Sequence, residues 1–62
     1  VRGWLTNSLE HHATLMRNQA RRCRVAYKTE PMRTLALELA NTYDAAAEVF
    51  AAALKRAREQ AP

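Results

Sequence analysis

MRTLALELANTYDAAAEVFAAALKRA, residues 32–57, is the stretch whose reading decides the fold. Met32, Ala36, Leu39, Tyr43, Ala46, Phe50, Ala53 and Ala57 follow one another at alternating steps of four and three. That is the spacing of a helix packing lengthwise against other helices. Large and small residues alternate along this seam, so facing helices can interdigitate and approach closely where alanine meets a bulkier partner. Leu35, Val49 and Leu54 lie beside it and broaden the apolar arc.

Upstream, Leu9, Ala13, Met16, Ala20, Cys23 and Tyr27 repeat the same steps and predict a first helix over about residues 7–28. Asn7 with Glu10 three places on reads as a capping-box start, with Thr6 and Ser8 as competing caps. Residues 1–5 are expected to be irregular, with Trp4 and Leu5 folding back onto the chain downstream. The break is Thr29-Glu30-Pro31. A proline lacks the amide that a helix interior needs, but a first turn leaves that amide without an intrahelical partner anyway. Thr29 or Glu30 is therefore the expected cap, and the second helix runs over about residues 31–59. Lys55, Arg56 and Arg58 suit the negative end of its dipole, and Pro62 closes the chain. So short a connection, residues 29–31, forces two helices of similar length antiparallel. The expected fold is all-α, a single αα-hairpin domain over residues 1–62. Two helices cover only one flank of each other, so the broad arc of the second predicts pairing into a four-helix bundle or docking on a larger partner.

Sixty-two residues are too few for a large core of their own. One Gly and two Pro, with abundant alanine and little β-branching, agree with an all-helical chain. Cys23 is the only cysteine and cannot form an internal disulfide, which makes a reducing cytoplasm the expected location. No apolar run approaches the roughly 20 residues of a membrane span, and signal-peptide regions are not discernible at the N-terminus. The chain opens on Val1 and not on methionine, as a trimmed or processed piece would, and whether flanking sequence carries the function is left open by the sequence. The net charge of +4 is uneven. Residues 1–28 carry Arg2, Arg17, Arg21, Arg22, Arg24 and Lys28 against Glu10 alone, a balance of +5. Residues 29–62 carry Arg33, Lys55, Arg56 and Arg58 against Glu30, Glu38, Asp44, Glu48 and Glu59, a balance of −1.

Arg17, Arg21, Arg24 and Lys28 recur at steps of four, three and four along one helix face, an arrangement able to track phosphates. No aromatic residue is interleaved with the arginines and no glycine-rich loop is present. The favoured reading is a solvated or salt-bridged face with Glu38, Asp44 or Glu48 across the helix interface as partners. His11 and His12 are neighbours and point ~100° apart on a helix, so they cannot chelate one metal. His12 and Cys23 fall near the same side, but eleven residues of helix separate them by about 16 Å. No metal or cofactor is expected. Cys23 on the seam reads as a small hydrophobe, and Tyr43 and Phe50 as core. No Ser, Cys or Thr has a His and an acid in a recognisable arrangement, so neither an enzyme nor a small-molecule substrate is expected.

Ala20-Arg21-Arg22-Cys23-Arg24 with Ala26, then Glu30-Pro31, Arg33, Leu39-Ala40 and Tyr43, resembles a group of short, mostly alphaproteobacterial proteins. Their pattern runs Ala-x-x-Cys-Arg, an acidic residue with proline at the turn, then Leu-Ala-x-x-Tyr or Trp. The resemblance covers residues 20–47 and departs in the alanine-rich continuation and the Trp4 segment. It implies a cytoplasmic helical hairpin and no particular activity. In size and layout the chain is also similar to plasmid RNA-binding Rop-type hairpins that dimerise into four-helix bundles, without a shared residue motif.

These observations favour a non-enzymatic module that self-associates or docks on a partner protein. Its interaction seam comprises Leu9, Met16, Cys23, Tyr27, Leu35, Leu39, Tyr43, Val49 and Phe50. One alternative is a small nucleic-acid-binding regulator using Arg17, Arg21, Arg24 and Lys28. A third reading is a subunit of a larger complex, anchored by Trp4 and Leu5.

Overall fold

A computed structural model describes residues 2–60, Arg2 by its backbone alone. It consists of two helices, α1 over Arg2–Ala26 and α2 over Met32–Glu59, packed side by side along their length. The chain between them is short enough to turn α2 straight back along α1, as the spacing of the break predicts. The Cα trace extends 50 × 14 × 11 Å, a rod one helix thick and two helices wide. Among the described residues no helix is long and apolar enough to cross a membrane.

Three boundaries differ from expectation. The first helix begins at Arg2 and not near Asn7, so residues 2–5 are helical where the sequence predicts an irregular segment; Val1 lies outside the described residues. Leu5 stands four residues before Leu9 and carries the apolar stripe a further turn, and the Thr6 hydroxyl donates to the Gly3 carbonyl at 3.2 Å within that turn. The Asn7–Glu10 capping box is thereby replaced by continuing helix. At the other end α1 stops at Ala26, which leaves Tyr27 and Lys28 in the connection. The third difference is the cap of α2. Pro31 itself occupies the N-cap position with φ −84° and ψ −6°, and no side chain caps the helix. The Arg33 amide instead donates to the Thr29 carbonyl at 3.0 Å, and the Glu30 carboxylate accepts from the Thr34 hydroxyl. The α2 C-terminus at Glu59 agrees with expectation, and the Gln60 amide donates to the Arg56 carbonyl at 3.1 Å. Pro62, expected to close the chain, lies outside the described residues.

The buried core is made of small residues. Ala13 and Ala20 of α1 face Ala36, Ala40, Ala47 and Leu54 of α2, and among the described residues no large side chain is fully buried. On α1 the expected stripe holds from Leu9 to Cys23. On α2 the line facing α1 is Ala36, Ala40, Tyr43, Ala47, Phe50, Leu54 and Ala57, each buried or half-buried. It shares four positions with the predicted seam and rotates away from Met32, Leu39, Ala46 and Ala53 at the others. Alanine explains the rotation. Turning Ala40 and Ala47 inward lets the two backbones approach more closely than Leu39 would permit, and closer approach gives more dispersion contact along the whole length.

Candidate interaction surface

Rotation of the seam leaves the two flanks of the hairpin chemically different. With each residue advancing ~100° around its helix, Glu10 and Arg24 fall on one flank of α1, and Asp44 and Arg58 on the adjoining flank of α2. Arg24 pairs with Asp44 and reaches Asn41 Oδ1 at 3.4 Å, and Arg58 Nη2 pairs with Glu10 Oε2 at 3.2 Å. Asp44 is one of the acids expected to meet the arginine stripe across the helix interface. The other members of that stripe, Arg17, Arg21 and Lys28, are exposed and have no ion pair among the described residues.

The opposite flank is apolar. Near the turn it opens into a groove of about 160 Å³ lined by Cys23, Tyr27, Met32, Leu35, Ala36 and Leu39. Further along, His12 lies over Phe50 with ring centroids 5.3 Å apart and planes inclined by 29°. His12 Nδ1, as the protonated nitrogen, donates to the Ser8 carbonyl at 2.7 Å, which holds the ring against the aromatic face. His12 Nδ1 is thus satisfied within α1, and the flat face of the ring is available for packing. His11 meets His12 edge-on at 5.5 Å. Among the described residues no three His, Cys, Asp or Glu side chains gather closely enough to hold a metal ion.

The residues read from sequence as an interaction seam divide into two sets. Leu9, Met16, Cys23, Tyr43 and Phe50 are half-buried between or beside the helices. Tyr27, Leu35, Leu39 and Val49 are exposed, Leu35 at 54% and Val49 at 68%, and so do not belong to the hairpin's own core. The groove brings Cys23, Tyr27, Leu35 and Leu39 together and adds Met32 and Ala36. Leu5, four residues before Leu9, continues the stripe by one helical turn and is likewise exposed, at 45%. The His12–Phe50 stack was not legible, since it depends on the level at which the two helices face each other. Neither a family model, nor a curated protein, nor a solved structure matches this chain.

Proposed function

We propose that this chain is a non-enzymatic helical interaction module whose apolar flank is covered by another helical surface, in an assembly, adaptor or regulatory role. One observation carries the reading. Among the described residues the hairpin buries five alanines and a single leucine, while Met32, Leu35, Leu39 and Val49 stay exposed on α2. Burying a large aliphatic side chain is worth about 1.5–3 kcal/mol, several times the contribution of an alanine methyl. A large part of the apolar surface of α2 therefore lies outside the hairpin's own core. A chain of 62 residues with so small a core needs an additional source of stability, and a four-helix bundle formed with a second hairpin supplies it. Cys23 as a free thiol suits a reducing cytoplasm.

Sedimentation equilibrium across a wide concentration range, with helicity followed by circular dichroism, tests this reading. A folded oligomer that loses helix on dilution supports self-association, and a poorly helical monomer assigns the flank to a different protein. A fully helical, cooperatively melting monomer contradicts the proposal.

A second reading is favoured by the exposure of Arg17, Arg21 and Lys28 on the side away from the apolar flank. There they stay accessible in an assembled bundle and present a row of cations to a nucleic-acid backbone. Binding of a duplex oligonucleotide that weakens steeply with salt, and falls when Arg17 and Arg21 are neutralised with the helicity kept, supports this reading. Binding indifferent to both substitutions removes it.

A further inference from the structure

Building on the interaction reading, we propose that the occupant of the apolar flank is a second copy of this chain, turned end for end. The two-fold axis crosses the hairpin at the level of Met16 and Ala47, laying α1 antiparallel on its own copy and α2 antiparallel on its own copy.

Three features of the chain converge on that axis. Along α1 the apolar stripe is symmetric about Met16, with Leu9 and Cys23 equally distant from it, and Leu5 is as far from Met16 in sequence as Tyr27, the first residue of the connection. An end-for-end copy therefore sets Leu9 against Cys23, Leu5 against Tyr27, and Met16 against itself. Along α2 the outer border of the apolar flank carries one acid and one base, Glu38 and Arg56, equally distant from Ala47. Both are exposed and neither makes an ion pair among the described residues. The same rotation brings each Glu38 to the Arg56 of the second copy, twice by symmetry. The third feature joins the other two. The His12–Phe50 stack sets the relative level of the helices on this flank, and one turn further along α1 and one turn back along α2 bring Met16 beside Ala46 and Ala47. The two symmetry centres thus coincide in space, although each arises on a different helix.

The fit also has a volume and an area. Leu5 and Leu9 of the second copy come to lie over the groove between Cys23, Tyr27, Met32, Leu35 and Leu39, and so fill that recess on this flank. Between Glu38 and Arg56 the border of α2 runs through Thr42, Ala45, Val49 and Ala52, where small residues flank the exposed Val49 and let two α2 helices approach. A face of 50 × 14 Å at the Cα level, widened by side chains, compares with the roughly 800 Å² that each partner contributes to a standard stable interface. The other face-to-face arrangement, with the axis parallel to the helices, stacks turn on turn and groove on groove, and it leaves Glu38 and Arg56 apart.

Charge exchange on the full chain tests the proposal. The dimer dissociation constant is measured by sedimentation equilibrium for the wild type, Glu38→Arg, Arg56→Glu and the double variant, with helicity recorded at each concentration. Each single reversal sets two like-charged pairs together and weakens the dimer by on the order of tenfold. The double variant restores opposite pairs and returns near the wild-type constant. Because it keeps the acid at position 56, that recovery separates pairing across the axis from any change in the α2 dipole. A wild-type dimer with unaffected single variants, or with a double variant no better than the singles, overturns the end-for-end pairing and leaves the interaction module standing. A wild-type chain that stays monomeric throughout overturns self-association itself, and its helicity then decides the broader reading.

Discussion

His12 stacks on Phe50 across the helix interface at 5.3 Å, and this is the aromatic contact that ties the first half of α1 to the second half of α2. Elsewhere the facing residues are mostly alanines, which fix how closely the helices lie but give little resistance to sliding. A ring pair resists sliding, because offset stacking is favourable only over a narrow range of displacements. Phe50 thus contributes register as well as area.

Replacing Phe50 by alanine is expected to cost about 2 kcal/mol, below the 3–5 kcal/mol of a fully buried phenylalanine because the side chain is only half-buried. In a fold this small that loss is a large share of total stability. Thermal unfolding followed at 222 nm reads it directly, where ~222 nm is the helical amide band. Phe50→Leu retains most of the area and loses the ring, so the gap between the two variants isolates the stacking contribution. An unchanged melt for Phe50→Ala would show that this residue does not face α1.

Enlarging the alanines at the closest approach should be as damaging as deleting the phenylalanine. Ala20 and Ala40 are completely buried, at 0% exposure each. Leucine at either position separates the backbones over neighbouring turns and is expected to destabilise by about 1–3 kcal/mol. Asn18→Leu, at an exposed position of α1, the helix of Ala20, serves as the control for propensity. Urea unfolding distinguishes them, since the midpoint drops for the two alanine sites and not for Asn18.

Much of this architecture is legible in the sequence because periodicity and helix breakers report on local geometry. The four-three spacing from Leu9 to Cys23 gives the buried stripe of α1, and Thr29-Glu30-Pro31 gives the reversal. The line facing α1 on α2 is less legible for a physical reason. Residues 32–57 are apolar over so wide an arc that several neighbouring lines are equally periodic, and apolar size points to the one containing Leu39. Backbone proximity selects the line containing Ala40 and Ala47, a choice that depends on the facing helix and not on α2 alone. The start of α1 was misplaced because Asn7 and Glu10 have the spacing of a cap, and a cap motif loses to helix continuation when apolar residues extend upstream.

Electrostatics across the hairpin supplies a last test. Arg24 pairs with Asp44 while the two side chains remain 42% and 45% exposed, and Asn41 is a second acceptor for the same guanidinium. Arg58 and Glu10, at 61% and 62% exposure, form the more solvated pair. Solvent screens both, so a double-mutant cycle to alanine should give a coupling of about 0.2–1 kcal/mol for Arg24 with Asp44, and less for Arg58 with Glu10. Both couplings are expected to shrink as salt rises from ~0.05 M to ~1 M, where the screening length falls to about 3 Å. A coupling near zero for Arg24 with Asp44 at low salt would mean that the pair does not hold this flank closed. Arg24 would then rejoin Arg17, Arg21 and Lys28 as a cation free to meet an external anion, and the nucleic-acid reading would gain the member it lacks.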